Sequence, residues 1–426
     1  MINYQSMSKD QLKVEKENLE KAYAEFKARG LKLDMSRGKP GEEQLSLSVP
    51  MLDVLNSQSD LRSVTGADCR NYGLLDGIDE AKALFADLIG VAKNEIIIEG
   101  SSSLTIMFDT VSKAVTHGVL GSVKPWGKYD KVKFLCPVPG YDRHFSITEF
   151  FGIEMINVPM DDNGPDMDMV EKLVASDETI KGMWCVPKYS NPQGGTYSDE
   201  VVRRLAAMKP AAKDFRIFWD NAYAVHYVYK DTQLLNILDE CKKAGNPDMV
   251  FVFGSTSKIT FPGAGVAFIA SSADNINFIK KQIAAQAISW DKLNMLRHVR
   301  FFKNKEGILA HMDKHAEVLR PRFDAVLNAF ETELAGRGVG TWLKPDGGYF
   351  ITYTALTNCA KRIVALCKEA GVVLTDAGAT HPYGKDPDDA MIRIAPSLPS
   401  AEELSRAVEL FCICVRLASV EKLLAA

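Results

Sequence analysis

Apolar positions along this chain follow two rhythms, one of helical spacing and one of short β-prone runs. From Lys9 to Arg29, Leu12, Leu19, Tyr23 and Phe26 stand among charges, the single apolar face of a helix that Gly30 stops and that is expected over the surface. An amphipathic helix through Ala81, Leu84, Leu88 and Ile89 precedes a strand at Ile96-Ile97-Ile98. Leu104, Met107, Phe108 and Val111 then return to helical spacing. After that, strand and helix alternate. Lys133 to Cys136, Gly152 to Val158, Met183 to Val186, Arg216 to Trp219 and Met249 to Phe253 read as strands, and Val266 to Ile269 closes the series. This alternation predicts an α/β protein with a mostly parallel central sheet and crossover helices. From about Ala273 long helices follow, with breaks expected near Ser289-Trp290 and before Pro321. Past Gly336 the pattern becomes mixed: a strand over Gly347 to Ile351, a helix from Lys361 to Ala370, a strand over Met391 to Ile394 and a helix from about Ala401 to Leu417. We therefore expect a large domain over residues 51–300. Residues 1–50 and 301–426 are expected to form a smaller α+β domain, the N-terminal helix and loop packing with the C-terminal part.

Composition narrows the function classes. A chain of 426 residues is long enough for two cores. The net charge of -4 is spread without long like-charge runs, which argues against a nucleic-acid surface and for small-molecule partners. Eight cysteines form no C-x-x-C pair and fall mostly in apolar stretches, as reduced cysteines of a cytoplasmic protein do. Met1 to Asp10 shows no apolar signal region, and no apolar run is long enough to span a bilayer. His311 and His315 stand one helical turn apart, but no third ligand type lies nearby, so no metal is expected.

The candidate chemistry gathers where strands end. The run Met249 to Phe253 breaks at Gly254-Ser255-Thr256-Ser257-Lys258, with Phe261-Pro262-Gly263 beyond. A lysine at such a strand end is partly desolvated, its pKa falls, and its amine can attack an aldehyde as a Schiff-base nucleophile. Gly100-Ser101-Ser102-Ser103 puts hydroxyls and free backbone N–H groups at a helix N-terminus, a ready phosphate cradle. The loop Met35-Ser36-Arg37-Gly38-Lys39-Pro40-Gly41 combines turn formers with two cations and suits an anion. Pro137 to Asp142, Pro187 to Gly195 and Asp220-Asn221-Ala222-Tyr223 likewise follow strands. Open α/β sheets bind ligands at that edge.

Taken in order and approximate spacing, Asn191-Pro192-Gln193-Gly194, Asp220-Asn221-Ala222-Tyr223, Ser255-Thr256-Ser257-Lys258 and Arg393 resemble the fold-type I aminotransferases that use pyridoxal 5'-phosphate (PLP). The resemblance runs from the Arg37 loop to the terminal region. Within the family the Ser-Thr-Ser-Lys-Ile-Thr-Phe-Pro-Gly-Ala-Gly-Val form looks like the divergent type Ic, or MocR-like, aspartate aminotransferases. It implies that Lys258 carries the cofactor and shuttles the substrate proton, and that Asp220 pairs with the pyridine nitrogen. Tyr223 and Asn191 would bond the phenolic oxygen, and Tyr141 would stack on the ring. Ser102, Ser103 and Ser255 would hold the phosphate, and Arg393 would clamp the substrate α-carboxylate with its planar fork. Tyr72 resembles the tyrosine that reaches the neighbouring subunit's cofactor, which implies a homodimer with shared sites.

In one respect the sequence departs from the family. Gly263-Ala264-Gly265-Val266 offers no arginine where the family usually places one for the phosphate. Aspartate and 2-oxoglutarate are the expected substrate pair. Arg37 and Lys39 are the preferred cations for a side-chain carboxylate, with Arg297 and Lys188 behind them. A PLP-dependent lyase on the same scaffold is the alternative. A ligand-sensing domain of a transcriptional regulator fits less well, because the pattern begins by about residue 31.

Overall fold

The computed structural model describes residues 2–30 and 32–425. In chain order the strands are β1 Leu33–Asp34, β2 Ile96–Ile98, β3 Lys133–Val138, β4 Glu154–Asp161, β5 Gly164–Pro165, β6 Ile180–Cys185, β7 Arg216–Asp220, β8 Val250–Ser255, β9 Ala267–Ala270, β10 Gly340–Trp342, β11 Ile351–Ala355, β12 Val372–Val373 and β13 Met391–Ile394. One eight-stranded sheet has the order β2-β9-β8-β7-β6-β3-β4-β5. Its centre is parallel, from β4 through β3, β6 and β7 to β8. β9 departs from the expected series, running antiparallel to both β8 and β2. The reason is the connection: the lysine loop from 256 to 266 contains no crossover helix, and a parallel return needs one.

Helices cover both faces of this sheet, so β6, β7, β8 and β9 are buried almost throughout and divide their side chains between two cores, while β4, near the edge, is partly exposed. In β7, Ile217 and Trp219 join one cluster and Phe218 the other; in β8, Val250 and Val252 oppose Phe251 and Phe253. A third core lies around the antiparallel sheet β10-β11-β13 and the parallel pair β1 and β12. Leu12, Leu19 and Phe26 of the helix Lys9–Ala28 belong to it, packed with the last helix, Ala401–Ala425. Each contributes about 2 kcal/mol by burial. The first helix is therefore a structural part of this core, its apolar face fully used.

Three expected boundaries move. The helix Lys305–Glu333 runs through Pro321 without interruption. Pro321 is exposed, so the carbonyl it leaves without an N–H faces water. The break falls earlier, at Lys303, whose φ is 67°. The strand expected from Gly347 starts only at Ile351, because Gly347 and Gly348 pass against Tyr189 and His226, where a Cβ would collide. The last helix continues past Leu417 because Ala418 and Val420 are buried.

Glu99, directly after β2, is buried, and desolvation pushes its carboxyl up to about 7. A carboxyl whose folded pKa is raised contributes stability below its unfolded pKa and loses it as pH rises through the folded one. Glu99→Gln should therefore flatten the decline in stability between about pH 5 and pH 8, gaining about 2 kcal/mol at pH 8. Denaturant midpoints at the two pH values check this; an equal effect at both would contradict it.

Candidate active site

The carboxyl ends of β3, β6, β7 and β8 open on one cavity of about 570 Å³. β8 delivers Ser255, Ser257 and Lys258, and β7 delivers Asp220 and Tyr223. β6 leads to Asn191, and β3 leads to Tyr141. Ser102 and Ser103 come from the turn after β2, Arg393 from β13, and Arg37 from the N-terminal loop.

Lys258 is half-buried, with its ammonium 4.9 Å from the centre of the Tyr223 ring. Desolvation lowers its pKa, while the charge of Asp220 opposes that shift. Its backbone is held from behind. Tyr349 Oη donates to the Lys258 carbonyl (3.3 Å), and His311 Nε2 lies 3.0 Å from the Ile259 carbonyl. His311 touches Ser48 and His315 (3.1 and 3.2 Å), and His315 reaches Gln44 (3.1 Å). Both histidines are held below the ordinary histidine range by burial, so they are neutral struts.

Asp220 is 3% exposed. Its Oδ2 lies 3.0 Å from His144 Nε2, while its buried Oδ1 has no partner. An unpaired buried carboxylate oxygen is costly unless a donor occupies it, and a protonated ring nitrogen is such a donor. His144 stacks on Trp184 with ring centres 4.3 Å apart. The sequence reading missed this histidine. The available signal was its position three residues after Tyr141, which puts both on one face of the helix Asp142–Phe150, their rings 5.0 Å apart. Burial pushes Tyr141 up to about 12 and Tyr223 well above the usual tyrosine value, so both hydroxyls remain donors at neutral pH.

The anion side is serine-lined. Ser102 is the N-cap of the helix Ser103–His117, and no side-chain hydrogen bond caps that helix. Ser255 Oγ donates to Ser257 Oγ (3.0 Å), which reaches the Ser101 carbonyl at 3.4 Å. Gly265 is needed where it stands: a Cβ there would lie 2.7 Å from the Ser101 carbonyl oxygen. Val266 is buried, and its N–H donates to Thr256 Oγ1 (2.9 Å). The position thus closes the lysine loop. An unpaired carboxylate oxygen, a desolvated lysine and an uncapped helix N-terminus in one cavity fit a phosphorylated, protonated pyridine aldehyde.

Other candidates lie elsewhere. Lys39 is exposed and outside the cavity lining, its carbonyl accepting from Ser397 Oγ (2.7 Å), so its side chain is not assembled with the rest. Arg297 turns along its own helix to Asn294 Oδ1 (2.6 Å), and Lys188 is bound to Asp231 and the Ala224 carbonyl. Tyr72 is 78% exposed and lines no part of this chain's cavity. Its loop is braced from a segment distant in sequence, where Lys292 donates to the Gly73 carbonyl (3.0 Å) and Trp290 to that of Leu75 (2.9 Å). Arg143, which the sequence reading did not single out, does line the cavity.

The family model described as aspartate amino-transferase matches residues 7–426. An aspartate aminotransferase of Corynebacterium glutamicum is 45% identical over 421 residues, covering 99% of this chain and 97% of that protein. The crystal structure of an aspartate transaminase from the same species superposes with a TM-score of 0.97 at 44% identity, over 99% of each chain. The α-aminoadipate aminotransferase LysN of Thermus thermophilus, solved with N-(5'-phosphopyridoxyl)-L-leucine, shares the fold with a TM-score of 0.73 at 20% identity, over 94% of this chain and 95% of that one. This chain belongs to the aspartate aminotransferase family and is a PLP-dependent transaminase of fold type I, acting between an amino acid and a 2-oxo acid.

Proposed function

We propose that the protein moves the amino group of L-aspartate to 2-oxoglutarate by a ping-pong reaction, as a cytoplasmic homodimer. The observation that carries this reading is the unpartnered Oδ1 of buried Asp220 in the same cavity as Lys258 and Arg393. PLP, when bound, supplies an electron sink for the carbanion left at the substrate α-carbon. In this reading the chain supplies the rest. Lys258 carries the cofactor and moves a proton from the α-carbon, a task its lowered pKa suits. Asp220, oriented by His144, keeps the ring nitrogen protonated. Tyr223 and Asn191 donate to the phenolic oxygen, and Tyr141 covers the ring face. Ser102, Ser103 and Ser255 bind the phosphate with the help of the helix N-terminus. Arg393 takes the α-carboxylate.

The cavity sits between the proposed large domain, 51–300, and the proposed small domain, 1–50 with 301–426. Tyr72, exposed on its braced loop beside exposed Leu74, is suited to reach the partner's phosphate. The eight cysteines are free and buried, as a reducing compartment would leave them. Titration of the holoenzyme tests the substrate pair: its visible absorbance band should bleach with L-aspartate and return with 2-oxoglutarate. A band indifferent to aspartate would refute that pair.

For the side-chain carboxylate we assign Arg37, with Arg143, which also lines the cavity, as the second candidate; Lys39 lies outside the lining. Arg37→Ala should raise KM for L-aspartate about tenfold or more, and KM for L-alanine less than threefold, the loss of one charged hydrogen bond. An equal effect on both substrates would remove Arg37 from this role.

A further inference from the structure

Arg393 is 7% exposed, and the acceptors around it are already in place. Its Nη1 donates to Asp142 Oδ1 (2.9 Å) and to Asn191 Oδ1 (3.2 Å), and its Nε to Thr375 Oγ1 (3.3 Å). Asp142 stands on the helix after β3, Arg393 on β13, so this ion pair bridges the two sides of the cavity, and both residues line it. We propose that Asp142 is a resident competitor for the substrate α-carboxylate. It keeps the guanidinium paired while the site is free of substrate, and the substrate displaces it. This rests on the reading of Arg393 as the α-carboxylate clamp.

The two partners are unequally buried, and that asymmetry carries the argument. An Arg393 left without a carboxylate would be a nearly buried, uncompensated charge, a costly state. Asp142 removes that cost in the free enzyme. Its own side chain is 33% exposed, so it can swing toward water when displaced. It also occupies the first turn of the helix Asp142–Phe150, where the backbone dipole favours a negative charge. Release therefore costs Asp142 little, whereas a second carboxylate arriving beside an unmoved Asp142 would be repelled. A bidentate grip on the substrate needs two N–H groups in a plane, and with Nη1 held by Asp142 the fork is not free to give them. The exchange lowers apparent affinity for every substrate that carries an α-carboxylate, whatever its side chain.

The test is Asp142→Asn in the holoenzyme, with Asp142→Ala as a second variant. Succinate binding, read from the absorbance of the bound cofactor, should tighten about fivefold, and KM for L-aspartate and for L-alanine should fall by the same factor. A neutral Asn holding Arg393 in place as an ordinary strut would predict no tightening. Unchanged or weakened succinate binding in both variants overturns the proposal. Arg393→Ala separates the two readings. If it weakens succinate at least tenfold while Asp142→Asn has no effect in the wild-type background, only the competitor role fails. If Arg393→Ala leaves succinate binding unchanged, the clamp itself is misassigned, and the competitor role falls with it. In the Arg393→Ala background, Asp142→Asn should change nothing; a persisting fivefold effect would show that Asp142 acts on the substrate directly and would also overturn the proposal.

Discussion

Lys258→Ala should reduce kcat by about 10⁴-fold or more, the upper end for a positioned acid–base group, because the variant loses both the covalent anchor and the proton carrier. Borohydride reduction distinguishes the two losses from unfolding. In the wild-type holoenzyme it should fix the cofactor on the peptide containing Lys258; in the variant the cofactor should remain dialysable while the circular dichroism is unchanged. Lys258→Arg should be equally inactive, since a guanidinium does not give up its proton. The pH dependence follows from the direction of the pKa shift. Burial favours the neutral amine, so the ascending limb for reaction of apoenzyme Lys258 with an aldehyde should lie below the ordinary lysine range near 10.4. A limb at or above that value, or a Lys258→Ala protein retaining more than about a tenth of the wild-type kcat, would show that another group does this work.

Much of this arrangement could be read along the chain because each strand of the parallel centre ends in a short polar segment. Lys258, Asp220 and Asn191 follow β8, β7 and β6, and the structure brings them to one cavity with Ser102, Ser103, Ser255, Tyr141, Tyr223, Arg37 and Arg393. Local sequence shows where a strand stops; it does not show which side chains meet across strands. His144 escapes a local reading for that reason, since its partner Asp220 is 76 residues away. The same holds for His311 and His315. Their spacing alone gives them no role, since no third metal-ligand type lies nearby, whereas their contacts, Gln44, Ser48 and the Ile259 carbonyl, come from segments far apart in the chain. Lys39 and Arg37 were indistinguishable as neighbouring loop cations, because which of two adjacent side chains faces a cavity depends on the loop conformation. At Gly38 a Cβ would lie 2.6 Å from the Phe350 ring, so packing across to the small sheet sets that conformation. The orientation of β9 and the passage through Pro321 depend in the same way on connection length and on solvent exposure, which residue pattern alone does not carry.

Asp220→Asn should lower kcat by about 10²- to 10⁴-fold, with KM for L-aspartate changed much less. The substitution keeps the shape and, with its amide oxygen at Oδ2's position, the contact to His144 Nε2, but it removes the charge and puts an N–H donor where Oδ1 would accept. Breaking one side of a buried ion pair costs about 3–5 kcal/mol, and each 1.4 kcal/mol is tenfold in rate. In the proposed arrangement the loss belongs to kcat, because Asp220 would act on the cofactor ring while Arg393 takes the carboxylate, and the buried Oδ1 of Asp220 has no partner in this chain. Asp220→Glu keeps the charge and should recover part of the rate, whereas His144→Ala, which removes the orienting contact together with the stacking on Trp184, should cost roughly tenfold or more, near the 1.5 kcal/mol or more of a hydrogen bond to a charged group. The order Asn worse than Glu is the decisive comparison, because packing alone would rank the isosteric Asn as the milder change. If Asn retains more activity than Glu, Asp220 serves the fold rather than the charge on the ring, and the unpartnered Oδ1 needs another explanation.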